Sequence, residues 1–196
     1  MKNVYRNKFS RYGMYTNIEK VLSRIKLKTG DCLVIGDTLK GKGANSTLVD
    51  MLPRGLKVTA PDFPEVDMQD IPYRDNSYDY VVSDQVLEHV RKPWIGVSEI
   101  YRVLRPGGIA IVTSALMFPQ HGVPYDYFRF TPAGLKVLFE DFSTIHSCTG
   151  NGNKKFIGDL FVRGITGQVS PSTPKAKQAM ICDDKYLVSV WIIAEK

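Results

Sequence analysis

Apolar positions recur along the chain in two rhythms. Over 16–28, "TNIEKVLSRIKLK", Ile18, Val21, Leu22 and Ile25 stand at helical spacing behind Thr16 or Asn17 as a cap, and Gly30 ends the unit. "CLVIG" then reads as a buried strand, and 44–52 as a helix packed on it. "LKVTAPD" at 56–62 and "YDYVVSD" at 78–84 are the next strands, with "VLEHV" opening a helix after the latter. A helix over 93–105 starts with Pro93 in its first turn and is broken by Pro106-Gly107-Gly108. "IAIVTSAL" is apolar without alternation, as a strand covered on both faces should be. A helix capped by Thr131 follows in "TPAGLKVLFEDF", and "YLVSVWIIAEK" is the last strand.

Strands alternating with helices predict an α/β fold, a mostly parallel, doubly wound sheet with helices on both faces. The rhythm fails over 150–184, where "GNGNKKF" and the Pro/Ser/Lys-rich "GQVSPSTPKAKQ" read as an irregular insertion, either a functional cover or a surface loop. The expected organisation is a basic helical leader over 1–29 and one domain over 30–196.

Composition narrows the class. With 196 residues, 43% hydrophobic and 23% charged, the chain suits one soluble domain with a sizeable core. No apolar run is long enough to span a bilayer, and the first residues lack the apolar block of a secretory signal. Cys32, Cys148 and Cys182 are widely spaced, which disfavours a disulfide framework or a cysteine zinc site and fits a reducing cytoplasm. Of the net charge of +6, residues 1–28 account for more than the whole: eight basic side chains stand there against Glu19 alone. Such an arm attracts nucleic acid, an anionic lipid surface or a phosphorylated substrate, or it is a solvated helix with its charges outward.

One stretch carries a specific pattern. Residues 66–114, "VDMQDIPYRDNSYDYVVSDQVLEHVRKPWIGVSEIYRVLRPGGIAIVTS", closely resemble class I S-adenosylmethionine-dependent methyltransferases of the type 11-like branch, in the succession of "DIPYRDNSYD", "VLEHV" and "EIYRVLRPGG". "HGVPYDYFRFT" is similar to a stretch found in a subset of these enzymes, often acting on sugars, glycolipids or other polar metabolites. The resemblance implies a Rossmann-like seven-stranded sheet with its last strand antiparallel. The ligand is then expected outside the carboxyl ends of the strands, at the topological switch point.

By that resemblance Gly36 matches the first glycine of the cofactor loop, where the missing Cβ lets a ligand approach; otherwise it is a strand-end turn. Val34 stands where the family usually has an acid, and Asp37 is the neighbouring carboxylate. Gly41 and Gly43 form an alternative turn or an exposed tip. Asp62 matches the carboxylate that accepts from both ribose hydroxyls, or is a turn residue beside Pro61 and Pro64. Asp67 and Met68 match the adenine position, and Asp84 and Gln85 the mouth of the site.

For the acceptor side, His121 is the first candidate base because its pKa can lie near neutrality, and Asp126 the next. Tyr127 and Arg129 are candidate substrate contacts, unless Arg129 pairs with Asp126 in a structural corner. Glu88 and His89 read as structural, and no metal cluster is evident. The leading expectation is a methyltransferase using S-adenosylmethionine on a small polar or glycan-like acceptor. A catalytically silent relative acting as an interaction module is the alternative, motivated by Val34. Nucleic-acid methylation through residues 1–28 is the third reading.

Overall fold

The computed structural model describes residues 8–36, 47–61, 64–121, 125–163 and 167–196. Helix α1 (Phe9–Leu22) leads into strand β1 (Asp31–Ile35), and after a single 3₁₀ turn at Val49–Met51 comes β2 (Lys57–Thr59). Strand β3 (Tyr78–Asp84), a 3₁₀ turn at Leu87–His89, helix α2 (Pro93–Val103) and strand β4 (Leu104–Ala115) form the centre. Then follow α3 (Pro132–Leu138), β5 (Thr144–Asn151), α4 (Lys154–Phe161), α5 (Pro174–Met180) and β6 (Ser189–Glu195).

Among the described residues the sheet has six strands in the order β2-β1-β3-β4-β6-β5, all parallel except β6, which runs against both neighbours. The antiparallel last strand agrees with expectation; the strand count is six rather than seven. Too few residues separate β2 from Asp67 for another strand and its crossover, and the described part of that stretch holds an isolated bridge between Asp67 and Asp70.

Alternation decides the layers. In β1, Leu33 and Ile35 enter one core with Val97, Ile100 and Leu135 of α2 and α3, whereas Cys32 and Val34 enter the other with Met14, Tyr15, Ile18 and Leu22 of α1. β4 divides likewise, Ala110 and Val112 against Ile109 and Ile111, and so does β6, Ile192 against Trp191 and Ile193. Strands buried on both faces need apolar residues at every position, so they read as unbroken runs. All three cysteines are free, and burial pushes the Cys32 thiol up to about 12.

Several boundaries differ from the sequence reading, each for a local reason. α1 begins at Phe9, because Phe9, Gly13, Met14 and Tyr15 are buried beneath it. The helix expected from "VLEHV" is only one 3₁₀ turn, and the true helix waits for Pro93, whose fixed φ suits a first turn. α2 stops at Val103, before the Pro-Gly-Gly that belongs to β4. The helix expected over 44–52 shows, in its described part, only the 3₁₀ turn. The irregular region contains two short helices, capped by Asn153 and Thr173, and β5 was not foreseen because an edge strand can carry polar residues such as Thr144, Ser147 and Thr149. Thr131 caps α3 as expected, accepting from Gly134 N at 3.1 Å.

Glu99 and Arg102 explain why an acid and an arginine recur in the α2 motif. Arg102 donates to the carbonyls of Ile71 and Tyr73 and to Asp75, while Glu99 accepts from Ile71 N at 2.9 Å and from Arg102. Together they pin the loop that precedes β3. The hydrogen bonds from Arg102 hold the Glu99 carboxyl below the ordinary carboxylate range. A folded pKa below the unfolded value of about 4.3 stabilises the fold above that pH, and the contribution is lost on acidification. Glu99→Gln is therefore expected to lower Tm at pH 7, with the gap to the parent chain closing below about pH 4; thermal melts across pH check this. A second outcome tests the seating of α1. Gly13→Ala should gain roughly 1 kcal/mol of helix propensity. A Cβ there would, however, lie 2.2 Å from the Ala179 carbonyl oxygen and 2.5 Å from Asn151 Nδ2, so urea unfolding should show a net loss of stability.

Candidate active site

At the carboxyl ends of β1, β3 and β4 the strand order reverses between β1 and β3, which is the switch point where open sheets take ligands. Gly36 closes β1 with φ +80°, and a Cβ would lie 2.3 Å from Val86 Cγ2. The backbone conformation and the close approach both require glycine here. Val34 is not part of the mouth: it is 2% exposed and packs in the core with Met14 and Tyr15.

β3 ends on Asp84, and Gln85 turns the chain with φ +59°. Asp84 accepts from Arg11 Nη1 at 2.8 Å, from the Tyr15 hydroxyl at 2.5 Å and from Thr113 Oγ1 at 2.7 Å. Burial and the Asp84 charge both push the Tyr15 phenol well above its ordinary value, so it stays a donor. Asp84, expected to touch cofactor, is thus committed to protein donors and ties α1 and β4 to β3. Gln85 donates from its backbone and its Nε2 to Thr113 Oγ1, which fixes the turn at the mouth.

Beyond that turn lies Glu88, fully buried. Its Oε2 accepts from Ser114 Oγ at 2.7 Å, and its backbone carbonyl accepts from the amides of Tyr127 and Phe128. His89 Nδ1 lies 2.6 Å from the carbonyl of Tyr125. Two neighbouring residues therefore anchor the loop that carries "YDYFRFT".

In that loop Asp126 and Arg129 pair through both carboxylate oxygens, and Arg129 also donates to the carbonyls of Phe128 and Pro119. The hydrogen bonds from Arg129 hold the Asp126 carboxyl far below its usual range. This is the structural corner, and it makes Asp126 a poor base and Arg129 a poor substrate contact. Asp126 instead orients His121, accepting from its backbone amide at 2.8 Å. His121 Nε2 comes within 3.9 Å of Glu88 Oε1, and its ring meets those of His89 and Phe118 edge-on. Tyr127 and Tyr125 are exposed, their rings 5.4 Å apart at the edge of this cluster.

The remaining expected contacts divide. Asp67 Oδ1 accepts from Gln69 N at 2.8 Å, forming a local turn, and Met68 is buried against Gly96. Asp37, Gly41, Gly43 and Asp62 lie outside the described residues, as do Lys2 and Arg6 of the basic segment. Arg11 and Tyr15 were not singled out from sequence, and Glu88 was read only as structural. Arg11 looked like one charge among many, and a lone Glu in a 3₁₀ turn carries no signal of burial. Nor did the sequence reveal a metal-type cluster, yet one potential ligand atom from each of Glu88, His89 and His121 lies within 4.8 Å of the others. A cleft of about 560 Å³ lined by Asp31, Tyr78 and Arg105 sits at the opposite, amino ends of the strands, away from this chemistry.

Comparison with known proteins bears on the fold that carries these residues. A family model described as a methyltransferase domain matches residues 35–112, from the end of β1 through most of β4. An uncharacterised methyltransferase of Mycobacteroides abscessus is 38% identical over 69 residues, which is 35% of this chain and only 27% of that protein's length. Phosphoethanolamine N-methyltransferase 2 of Haemonchus contortus, solved with phosphomonomethylethanolamine and S-adenosylhomocysteine, shares the fold at TM-score 0.59 and 21% identity. That likeness covers 92% of this chain and 52% of the other. The [4+2]-cyclase SpnF shares it at TM-score 0.53 and 19% identity, over 93% of this chain and 81% of that one. No helix among the described residues is long and apolar enough to cross a membrane. Over residues 35–112 the chain is similar to methyltransferase domains, and it shares the fold of solved S-adenosylmethionine-dependent methyltransferases.

Proposed function

We propose that the chain transfers a methyl group from S-adenosylmethionine to the oxygen or nitrogen of a small polar or glycan-like acceptor. The observation that carries this is the gathering of Gly36, the Gln85 turn and His121 at one switch point within a methyltransferase-type sheet. The fold alone would not suffice, since a protein described as a cyclase shares it.

The residues present fit the cofactor where they can be judged. Gly36 offers backbone without a side chain at the end of β1, and the Gln85 turn lies across from it. The sequence pattern gives Asp62 the ribose role and Asp67 and Met68 the adenine position; Asp67 accepts from Gln69 and the Met68 side chain is buried, which leaves the Met68 backbone as its means of contact. When bound, the cofactor supplies an electrophilic methyl group on a sulfonium that leaves without acid assistance. The chain then has to align an acceptor lone pair with that carbon and exclude water. An acceptor hydroxyl must also lose a proton, and His121 is the group on hand, its ring set by Asp126 and Pro119. Tyr125 and Tyr127 offer two exposed faces suited to a sugar-like or other flat polar acceptor.

One observation favours a second reading, a silent relative: Val34 is sealed in core where the family usually has an acid. Calorimetry decides between them. S-adenosylhomocysteine should bind the native chain with a dissociation constant on the order of micromolar, and at a thousandfold excess over that constant should stabilise it by about 4 kcal/mol. Gly36→Ala should weaken binding at least tenfold. The absence of both heat and a Tm shift at millimolar ligand would overturn the methyltransferase reading. With an acceptor in hand, His121→Ala should lower kcat by about 10²–10⁴-fold.

A further inference from the structure

The geometry points to a divalent metal site made by Glu88, His89 and His121. Each residue contributes one ligand atom, all within 4.8 Å of one another, and they come from two segments that only the fold brings together. On one ion, such atoms would stand roughly 3–3.5 Å apart, given metal–ligand distances of about 2.0–2.2 Å. Small side-chain rotations close that difference.

Three further observations favour an ion over a plain hydrogen-bonded cluster. Glu88 is fully buried, and its Oε1 has no hydrogen-bond partner among the described residues although Oε2 is satisfied by Ser114. A buried carboxylate oxygen without a donor is costly, and a cation would offset the cost. Arg11 and Arg129 feel the Glu88 charge, but they form ion pairs with Asp84 and Asp126.

The two rings are also set as ligands usually are. His89 Nδ1 faces the Tyr125 carbonyl at 2.6 Å, and His121 Nδ1 faces the Pro119 carbonyl at 3.1 Å and Asp126 Oδ2 at 3.4 Å. Acceptors at both Nδ1 atoms select the tautomer with a free lone pair on Nε2, the outer-shell arrangement typical of metal-binding histidines. Finally, the molecule shows what a histidine and a glutamate do with no ion between them. His146 Nε2 and Glu195 Oε2 pair directly at 2.8 Å, whereas His121 Nε2 and Glu88 Oε1 stay 3.9 Å apart.

Two imidazoles and one carboxylate with open positions suit a first-row ion such as Mn²⁺, Fe²⁺, Co²⁺ or Zn²⁺. The inference deepens the proposed function. An acceptor oxygen could take an open position, where the ion as Lewis acid lowers its pKa and its proton leaves to water. His121 is then a ligand in place of a base, because one lone pair cannot do both.

The test titrates Co²⁺ into the chelator-treated full chain and reads visible d–d absorption, with no acceptor or cofactor present. One equivalent should bind. His89→Ala and His121→Ala should each weaken binding at least tenfold, and His146→Ala should leave it unchanged. Glu88→Gln should also weaken it, and if that buried variant does not fold, the two histidine variants carry the test. Absorption that is absent, or equally strong in the His89 and His121 variants, overturns the site. S-adenosylhomocysteine calorimetry on the metal-free chain runs alongside. Homocysteine-ligand binding without Co²⁺ binding sinks the metal site alone, and the reverse sinks the methyltransferase reading alone.

Discussion

Everything at the active end depends on two carboxylates delivered by one short segment, Asp84 to Glu88. A parallel strand must end where its hydrogen bonds stop, and the Gln85 turn at φ +59° redirects the chain at once into a 3₁₀ turn. Asp84 is thereby left facing α1, and Glu88 is carried under the loop after β4. Both are poorly accessible to water, so each must be compensated locally. Asp84 achieves this with Arg11, Tyr15 and Thr113, drawing α1 and β4 to the end of β3. Glu88 is compensated on one oxygen only, while its backbone carbonyl holds Tyr127 and Phe128. The same five residues thus decide where the first helix sits and where the acceptor-side loop sits.

Much of this architecture was legible in the sequence because its determinants are local. Runs such as "IAIVTSAL" can only be strands buried on both faces, and Thr131 before Pro132 announces a helix start. The start of α2 at Pro93 and the end of β4 are placed to within a residue, whereas α2 ends and β4 begins earlier than the pattern suggests. What was illegible depends on pairing across the chain. Whether "VLEHV" makes a helix or one tight turn depends on Glu88 being pulled inward to Ser114, which no local propensity records. The edge strand β5 hides for the converse reason: its pattern lacks apolar alternation because one side of it has no neighbouring strand.

The site divides along the same line. Gly36 and Gln85 stand at strand ends, and strand ends are predictable. His121 could be nominated by residue type, but its neighbours could not, since His89 and Glu88 reach it across the gap between β3 and β4. The polar residues that seemed most functional in the loop, Asp126 and Arg129, proved to spend their charges on each other. A charged pair three residues apart is often self-satisfied, and the residues it frees for chemistry are those it orients.

The six-strand sheet shows which parts of the fold the site needs. A ligand at the switch point touches the ends of β1, β3 and β4, so a strand beyond β2 contributes nothing directly. Among the described residues no crossover helix holds the loop before β3, and Glu99 and Arg102 hold it through four hydrogen bonds, with two more between themselves. Asp67 and Met68 lie at the start of that loop, one closed on Gln69 and the other packed on Gly96 of α2. The side of the site expected to receive the nucleoside is therefore braced from α2, while the acceptor side is braced from Glu88. The loop before β3 and the loop carrying Tyr127 and Phe128 are thus set by separate anchors, Glu99 with Arg102 for one and Glu88 for the other.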